Sequence, residues 1–154
     1  MSDCCPAAAA DAPSRPCPGC GAQGRSVSDA TILAILSPEL ARPLLIVGRR
    51  FCRSQSCLVV YYGDSAVIEK SHVPLRVGVK ETSDPIPLCY CLGFARADVR
   101  RELRESGNCT IPDRITAEIR AGRCACESRN PSGACCLGEV KTAIREELAL
   151  LHRD

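Results

Sequence analysis

Apolar residues change their spacing near the middle of the chain. Between residues 44 and 79 they fall in short runs rich in β-branched side chains, at 44–51, 58–62, 66–69 and 75–79. Gly63-Asp64 and a cysteine pair separate these runs, so the pattern predicts a small antiparallel meander. Ahead of it, Ser28-Asp29 offers an N-cap to a short helix carrying Ile32, Leu33 and Leu36, which Pro38 ends or offsets. Beyond residue 88 the period lengthens to that of helices. Val99 and Leu103 stand four apart, as do Ile115 and Ile119. Val140, Ile144, Leu148 and Leu151 form an apolar stripe with Arg and Glu opposite. Three short helices are expected, none stable alone, so their mutual packing and a bound group must complete the fold.

The boundaries follow from the breaks in this pattern. Residues 1–16, mostly Ala, Pro, Ser and Asp around Cys4 and Cys5, lack the apolar surface to offset their ordering entropy and are expected to be a disordered tail. Residues 17–80 form a β-rich domain. Pro85 and Pro87 mark 81–87 as a linker, and 88–154 form a helical domain. The fold class expected is α+β, with no internal repeat. The longest apolar stretch, 43–48, is far short of the roughly 20 residues that span a bilayer.

Composition changes this picture in one respect. The 154 residues contain two Phe, three Tyr and no Trp, so large apolar side chains are scarce, while thirteen cysteines are present. Metal is expected to supply the missing stability. An odd cysteine count and the start Met-Ser-Asp-Cys-Cys-Pro, which is unlike a secretory leader, argue for a reducing cytoplasm and against a disulfide scaffold. Net charge is +2 with bases and acids interleaved, which lacks the broad positive field of a nucleic-acid binder.

The cysteines are arranged as close pairs. Cys17-Pro-Gly-Cys20 and Cys52-Arg-Ser-Gln-Ser-Cys57 have the form of metal knuckles, two thiolates from each turn, and four thiolates close a tetrahedral zinc site with no open position. That zinc is structural. The blander reading, ordinary buried cysteines acting as small hydrophobes, fits poorly with turns rich in Gly, Ser and Arg. The second set, Cys89-Tyr-Cys91 with Cys124, Cys126, Cys135 and Cys136, points to an iron–sulfur cluster. A [2Fe-2S] cluster needs four thiolates, and Cys89 and Cys91 give two. The other two come from the later four, with Cys136 favoured because it directly precedes a helix whose dipole favours anionic sulfur.

The passage Leu75-Arg-Val-Gly-Val-Lys-Glu leading to Pro87-Leu-Cys-Tyr-Cys, with Phe51-Cys-x4-Cys-x-Val-Val-Tyr-Tyr and Asn130-Pro-Ser-Gly-Ala-Cys-Cys, resembles the N-terminal domain of CopZ-type copper chaperones and related iron–sulfur metallochaperones. The likeness covers nearly all of the chain beyond residue 16, and the helical half is similar to bacterioferritin-associated ferredoxin. The resemblance implies zinc on Cys17, Cys20, Cys52 and Cys57, and a [2Fe-2S] cluster on Cys89, Cys91, Cys126 and Cys136. It also implies a domain that reduces Cu(II) to Cu(I) and supplies the soft ion to thiolate acceptors. A Met-x-Cys-x-x-Cys loop, which carries copper in the full-length relatives, does not occur here, since Met1 is the only methionine. Delivery by that loop is therefore not expected.

Five cysteines remain: Cys4, Cys5, Cys109, Cys124 and Cys135. Adjacent thiols at Cys4 and Cys5 suit capture of a soft ion such as Cu(I) or Hg(II), an incidental pair being the alternative. Cys109 is expected to be buried or partly buried, and Cys124 and Cys135 to be spare ligands beside the cluster. His72 and His152 are solitary and read as surface or structural histidines. Arg100, Arg101 and Arg104 read as a solvated helix face. No nucleophile–base–acid set, phosphate loop or dinucleotide fingerprint is present.

The function expected is an iron–sulfur cluster-binding metallochaperone and redox protein that reduces or hands on copper or mercury ions to a thiolate acceptor. Its only enzyme-like activity would be metal reduction. The alternative is a [2Fe-2S] electron carrier serving a reductase or ferritin-type partner. A sensor signalling through cluster loss ranks third, for want of a basic reading helix.

Overall fold

A computed structural model describes residues 15–45 and 48–154. The first half is built on a four-stranded antiparallel sheet of β1 (Arg25–Ser26), β2 (Arg50–Phe51), β3 (Val59–Tyr62) and β4 (Val67–Glu69), in that spatial order. Phe51 pairs with Arg25 on one side and Tyr61 on the other, and Tyr62 pairs with Val67. All four β3 residues are buried. A register shift between Val59 and Tyr61 re-aims this strand. Val60 and Tyr61 therefore enter the main core, whereas Val59 and Tyr62 pack with Cys17, Cys52 and Cys57.

Two short helices close that core. In α1 (Asp29–Ile35), Ser28 Oγ accepts the Thr31 amide at 3.2 Å as the predicted cap, and Pro38 occupies the first turn of α2 (Pro38–Ala41). Ile32, Ile35, Leu36 and Leu44 from this region meet Phe51, Val60, Tyr61 and Ile68 from the sheet.

The second half begins with a two-stranded ladder, β5 (Pro87–Cys89) and β6 (Phe94–Ala95), and continues as α3 (Arg96–Ser106), α4 (Ile111–Arg120), α5 (Cys126–Arg129) and α6 (Leu137–Leu151). Asp98 accepts the Ala95 amide at 2.8 Å to start α3, and Gly107 ends it in the left-handed conformation. Val99, Leu103, Ile111, Ile115, Val140 and Ala143 form a second core, which includes Cys89, Cys126 and Cys136.

Two predicted strands are absent as such. Among the described residues of 44–51, Arg50 and Phe51 are strand; Pro43, which has no N–H to give a ladder, lies in a 3-10 turn at Arg42–Leu44. In 75–79 the polar backbone is satisfied by a side chain instead. Tyr90 Oη donates to the Arg76 carbonyl at 2.7 Å and accepts the Gly78 amide at 2.9 Å, and the segment ends in a 3-10 turn at Gly78–Lys80.

Arg100 is also not a freely solvated charge. It binds Glu147 at 3.1 Å and Asp84 at 2.9 Å, and Arg96 reaches the other Glu147 oxygen at 2.7 Å. Glu147 lies on the buried face of α6 with its side chain only 4% exposed. Such a carboxylate is tolerable in a core only while its cations remain. Replacing it removes the hub of the α3–α6 contact and leaves two partly buried guanidinium groups short of a partner. Glu147→Ala should therefore destabilise the fold by about 2–3 kcal/mol, somewhat below the usual cost of breaking a fully buried pair because the arginines retain some solvent. A urea midpoint lowered with unchanged slope would show it.

Candidate metal centres

The loop before β1 and the hairpin between β2 and β3 bring together the four cysteines predicted for zinc. Cys17 Sγ lies 3.8 Å from Cys57 Sγ and Cys20 Sγ lies 3.7 Å from Cys52 Sγ. All four sulfurs are within 4.8 Å of one another. Zn–S bonds of about 2.3 Å in a tetrahedron require S···S edges of about 3.8 Å, so the donor set fits this ion. Cys17, Cys52 and Cys57 are buried and Cys20 is exposed. The turn needs its glycine: a Cβ on Gly19 would stand 2.8 Å from Cys57 Sγ. Burial pushes the Cys17 thiol up to about 12 and also raises Cys57, while the neighbouring Ser54 hydroxyl lowers Cys20 to about 6. Buried Lys80 donates to the Ser54 carbonyl at 2.7 Å, bringing a cation to this knuckle.

The four cysteines predicted for a cluster also converge. Cys89 ends β5, Cys91 lies in the following turn, Cys126 opens α5 and Cys136 precedes α6. Cys91 Sγ is 3.9 Å from Cys126 Sγ, and Cys136 neighbours both Cys126 and Cys89. The Cys136 thiol as neighbour lowers Cys126 to about 6 and Cys89 to about 7, and is itself pushed far up, so the charge of the set is shared among sulfurs. Three members are buried and Cys91 is half-buried. Thiolates from two separate loops on an apolar floor suit an iron–sulfur group.

Cys135 is half-buried beside this set, near Cys126. Cys124 Sγ stands 3.6 Å from Cys126 Sγ, but Cys124 is disulfide-bonded and does not offer a free thiol. Cys109 is half-buried elsewhere in the second core. Cys4 and Cys5 lie outside the described residues.

Residues that the sequence reading passed over hold the loop between Cys126 and Cys136. Thr31 Oγ1, fully buried in α1, donates to the Glu127 carbonyl at 2.6 Å, and the buried Tyr61 hydroxyl donates to the Pro131 carbonyl. Within the loop, Asn130 Oδ1 accepts from Ser132 N at 3.1 Å and Ser132 Oγ at 3.0 Å, while Nδ2 donates to Ala134 O at 2.9 Å. Gly133 has φ +67°, and a Cβ there would come within 2.6 Å of Thr31 Oγ1. The first half of the chain thus positions cysteines of the second. The sequence signal was Asn-Pro-Ser-Gly, a turn signature whose side-chain bonds could be anticipated. Nothing in the sequence pairs it with Thr31 or Tyr61.

Residues 14–74 match the family model of the CopZ-type zinc binding domain, a span that contains Cys17, Cys20, Cys52 and Cys57. The copper chaperone CopZ of Archaeoglobus fulgidus is 33% identical over 147 residues, covering 87% of this chain and 69% of that relative. The chain belongs to the CopZ copper chaperone family. Its fold is similar to the X-ray structure of the A. fulgidus CopZ N-terminal domain, with TM-score 0.66 and 30% identity over 82% of this chain and 95% of that domain. Zinc binding is accordingly a property of the first half of this CopZ-family chain.

Tyr61→Phe keeps the ring and leaves the Pro131 carbonyl buried without its donor. We expect a loss of about 1–3 kcal/mol in urea unfolding. Alkylation of Cys126 and Cys136 in metal-free protein should also become faster than in the parent chain. Unchanged thiol rates would show that this hydroxyl does not hold the loop.

Proposed function

We propose that this chain is a copper-handling metallochaperone that carries a structural zinc ion on Cys17, Cys20, Cys52 and Cys57 and a [2Fe-2S] cluster on Cys89, Cys91, Cys126 and Cys136. The approach of the Cys89–Cys91 turn to the braced loop that presents Cys126 and Cys136 is the observation that carries this reading, and kinship with a copper chaperone supports it. A bound cluster would supply one-electron chemistry of the kind that turns Cu(II) into the softer Cu(I). The surrounding residues set its conditions. Val99, Leu103, Ile111 and Val140 exclude water from one side. Half-buried Cys91, next to exposed Leu92 and Gly93, leaves the other side reachable by a metal ion or a partner. The neighbouring Cys136 thiol favours the anionic form of Cys89 and Cys126 that binds metal.

Metal and sulfide analysis of anaerobically purified protein tests the assignment. Two irons and one zinc per chain are expected. Cys52→Ser should lose zinc and Cys136→Ser should lose iron. Oxidation of the reduced protein by Cu(II), followed in the visible and EPR spectra, supports the copper role. Reoxidation only by a protein partner would instead favour the electron-carrier reading, and absence of iron would overturn both.

The first site also predicts a pH dependence. Cys17 and Cys57 are raised above their ordinary value in the metal-free fold, so each must release a proton when zinc binds near neutrality. Apparent zinc affinity should fall at least about hundredfold for each pH unit of acidification, because these two protons at the least are displaced. Competition against a chromogenic chelator between about pH 6 and 8 measures the slope, and a flat profile would remove this pair from the ligand set.

A further inference from the structure

Beside the second cysteine set lies a cleft of about 850 Å³, between the first half of the chain and α6. This volume is within the range of about 300–1,000 Å³ usual for small-molecule sites. Arg25 and Arg53 line one wall, and Cys135, Glu139 and Lys141 line the other. Most acids and bases nearby are already paired, Glu81 with Arg76 and Lys70, and Glu146 with Arg96. Arg25, Arg53, Lys141 and Arg145 form no ion pair among the described residues, and neither does Glu139. Glu139 is nevertheless largely removed from water, which raises its carboxyl, and the fields of Arg53 and Arg25 and the neighbouring Asn130 amide oppose that rise. Cations and a desolvated carboxylate thus share the cleft without touching, with a half-buried thiol between Ala134 and Cys136 on its lining.

That arrangement selects among ligands. A dicarboxylate would satisfy the arginines and face Glu139 with like charge. A polyamine would do the reverse, and an uncharged molecule would leave both walls unpaired. We propose that the cleft binds a zwitterionic amino-acid thiol of the cysteine type, its carboxylate at Arg25 and Arg53, its ammonium at Glu139 and its sulfur beside Cys135. Two sulfurs brought together in this way form a linear site for Cu(I). Entry of the ion is a ligand exchange. The Cys135 thiol loses its proton and forms a Cys135 S–Cu bond, one S–Cu bond of an incoming bis-thiolate complex breaks, and the departing thiolate takes the proton. Copper stays Cu(I) throughout. The copper step rests on the copper-handling reading above; the binding of the thiol does not.

Thiol–disulfide exchange tests the site on the full-length, metal-replete chain under anaerobic conditions. The Cys135 thiolate attacks a probe disulfide, forms a mixed disulfide and expels one thiolate, which takes up the proton that Cys135 lost. The probes are cystine, cystamine, which lacks carboxylates, and 3,3′-dithiodipropionate, which lacks amines. Labelling of Cys135 is read by peptide mass mapping relative to Cys109, which is half-buried away from the cleft. Cystine should label Cys135 about tenfold faster than either other probe, the effect of two partly exposed charge pairs. The variant with Arg25→Ser and Arg53→Ser should bring cystine down to the rate of cystamine. Glu139→Gln should bring cystine down to the rate of 3,3′-dithiodipropionate. Equal rates for the three probes, or a cystine preference that survives both sets of substitutions, would overturn the site. Copper is then supplied as its Cu(I)–cysteine complex, and retention is compared between the parent chain and Cys135→Ala. Loss of retained copper in the variant supports the exchange step. Equal retention alongside intact probe selectivity overturns that step and the copper reading of the cleft, while leaving the thiol site supported.

Discussion

Sulfur placed beside sulfur is the constraint on which this structure turns. Two unit charges 4 Å apart cost about 4 kcal/mol at an effective dielectric constant near 20. The Cys17–Cys57 and Cys20–Cys52 contacts are closer than that. Four thiolates at such distances repel one another unless protons or a cation lie among them. Burial, more than the neighbouring sulfurs, raises Cys17 and Cys57, so the metal-free fold favours protons there, and a central divalent ion removes the need. The same problem recurs at Cys89, Cys126 and Cys136, where one tightly held proton on Cys136 serves two neighbours.

The two thiol sets are connected mechanically. The Cys52–Cys57 hairpin joins β2 to β3, and β3 carries Tyr61. Tyr61 and Thr31 hold the carbonyls of Pro131 and Glu127, within the loop that presents Cys126 and Cys136. Few large aromatics are available to build a core, so much of the positional information passes through hydroxyls and short loops in place of bulk. The zinc half is therefore more than a neighbour to the second site. Its sheet sets where that site's later cysteines stand.

Legibility in the sequence varied with the range of the interaction. The Ser28 cap, the apolar stripe of α6 and the knuckle at Cys17 and Cys20 are local patterns, and each takes the form its spacing implies. The runs at 44–51 and 75–79 look equally strand-like, yet among the described residues of the first only Arg50 and Phe51 are strand. In the second, Tyr90 from beyond the linker captures the backbone bonds that a ladder would have used. Arg100 and Glu147 read as surface charges on their own helices. They become a buried hub because α3 and α6 face one another there.

What the sequence determined by itself was chemistry and local geometry: which thiols come as pairs, where helices start, and the mixed α+β character of the chain. Those depend on residues only a few positions apart. Tertiary structure alone decided which pairs meet, at 3.7–3.9 Å across gaps of 32 to 40 residues in sequence. It also decided that hydroxyls from the first half would brace the second, and that Arg25, Arg53, Glu139 and Cys135 would line one cleft. Such contacts are set by the packing of whole elements, whose directions no short stretch of sequence encodes.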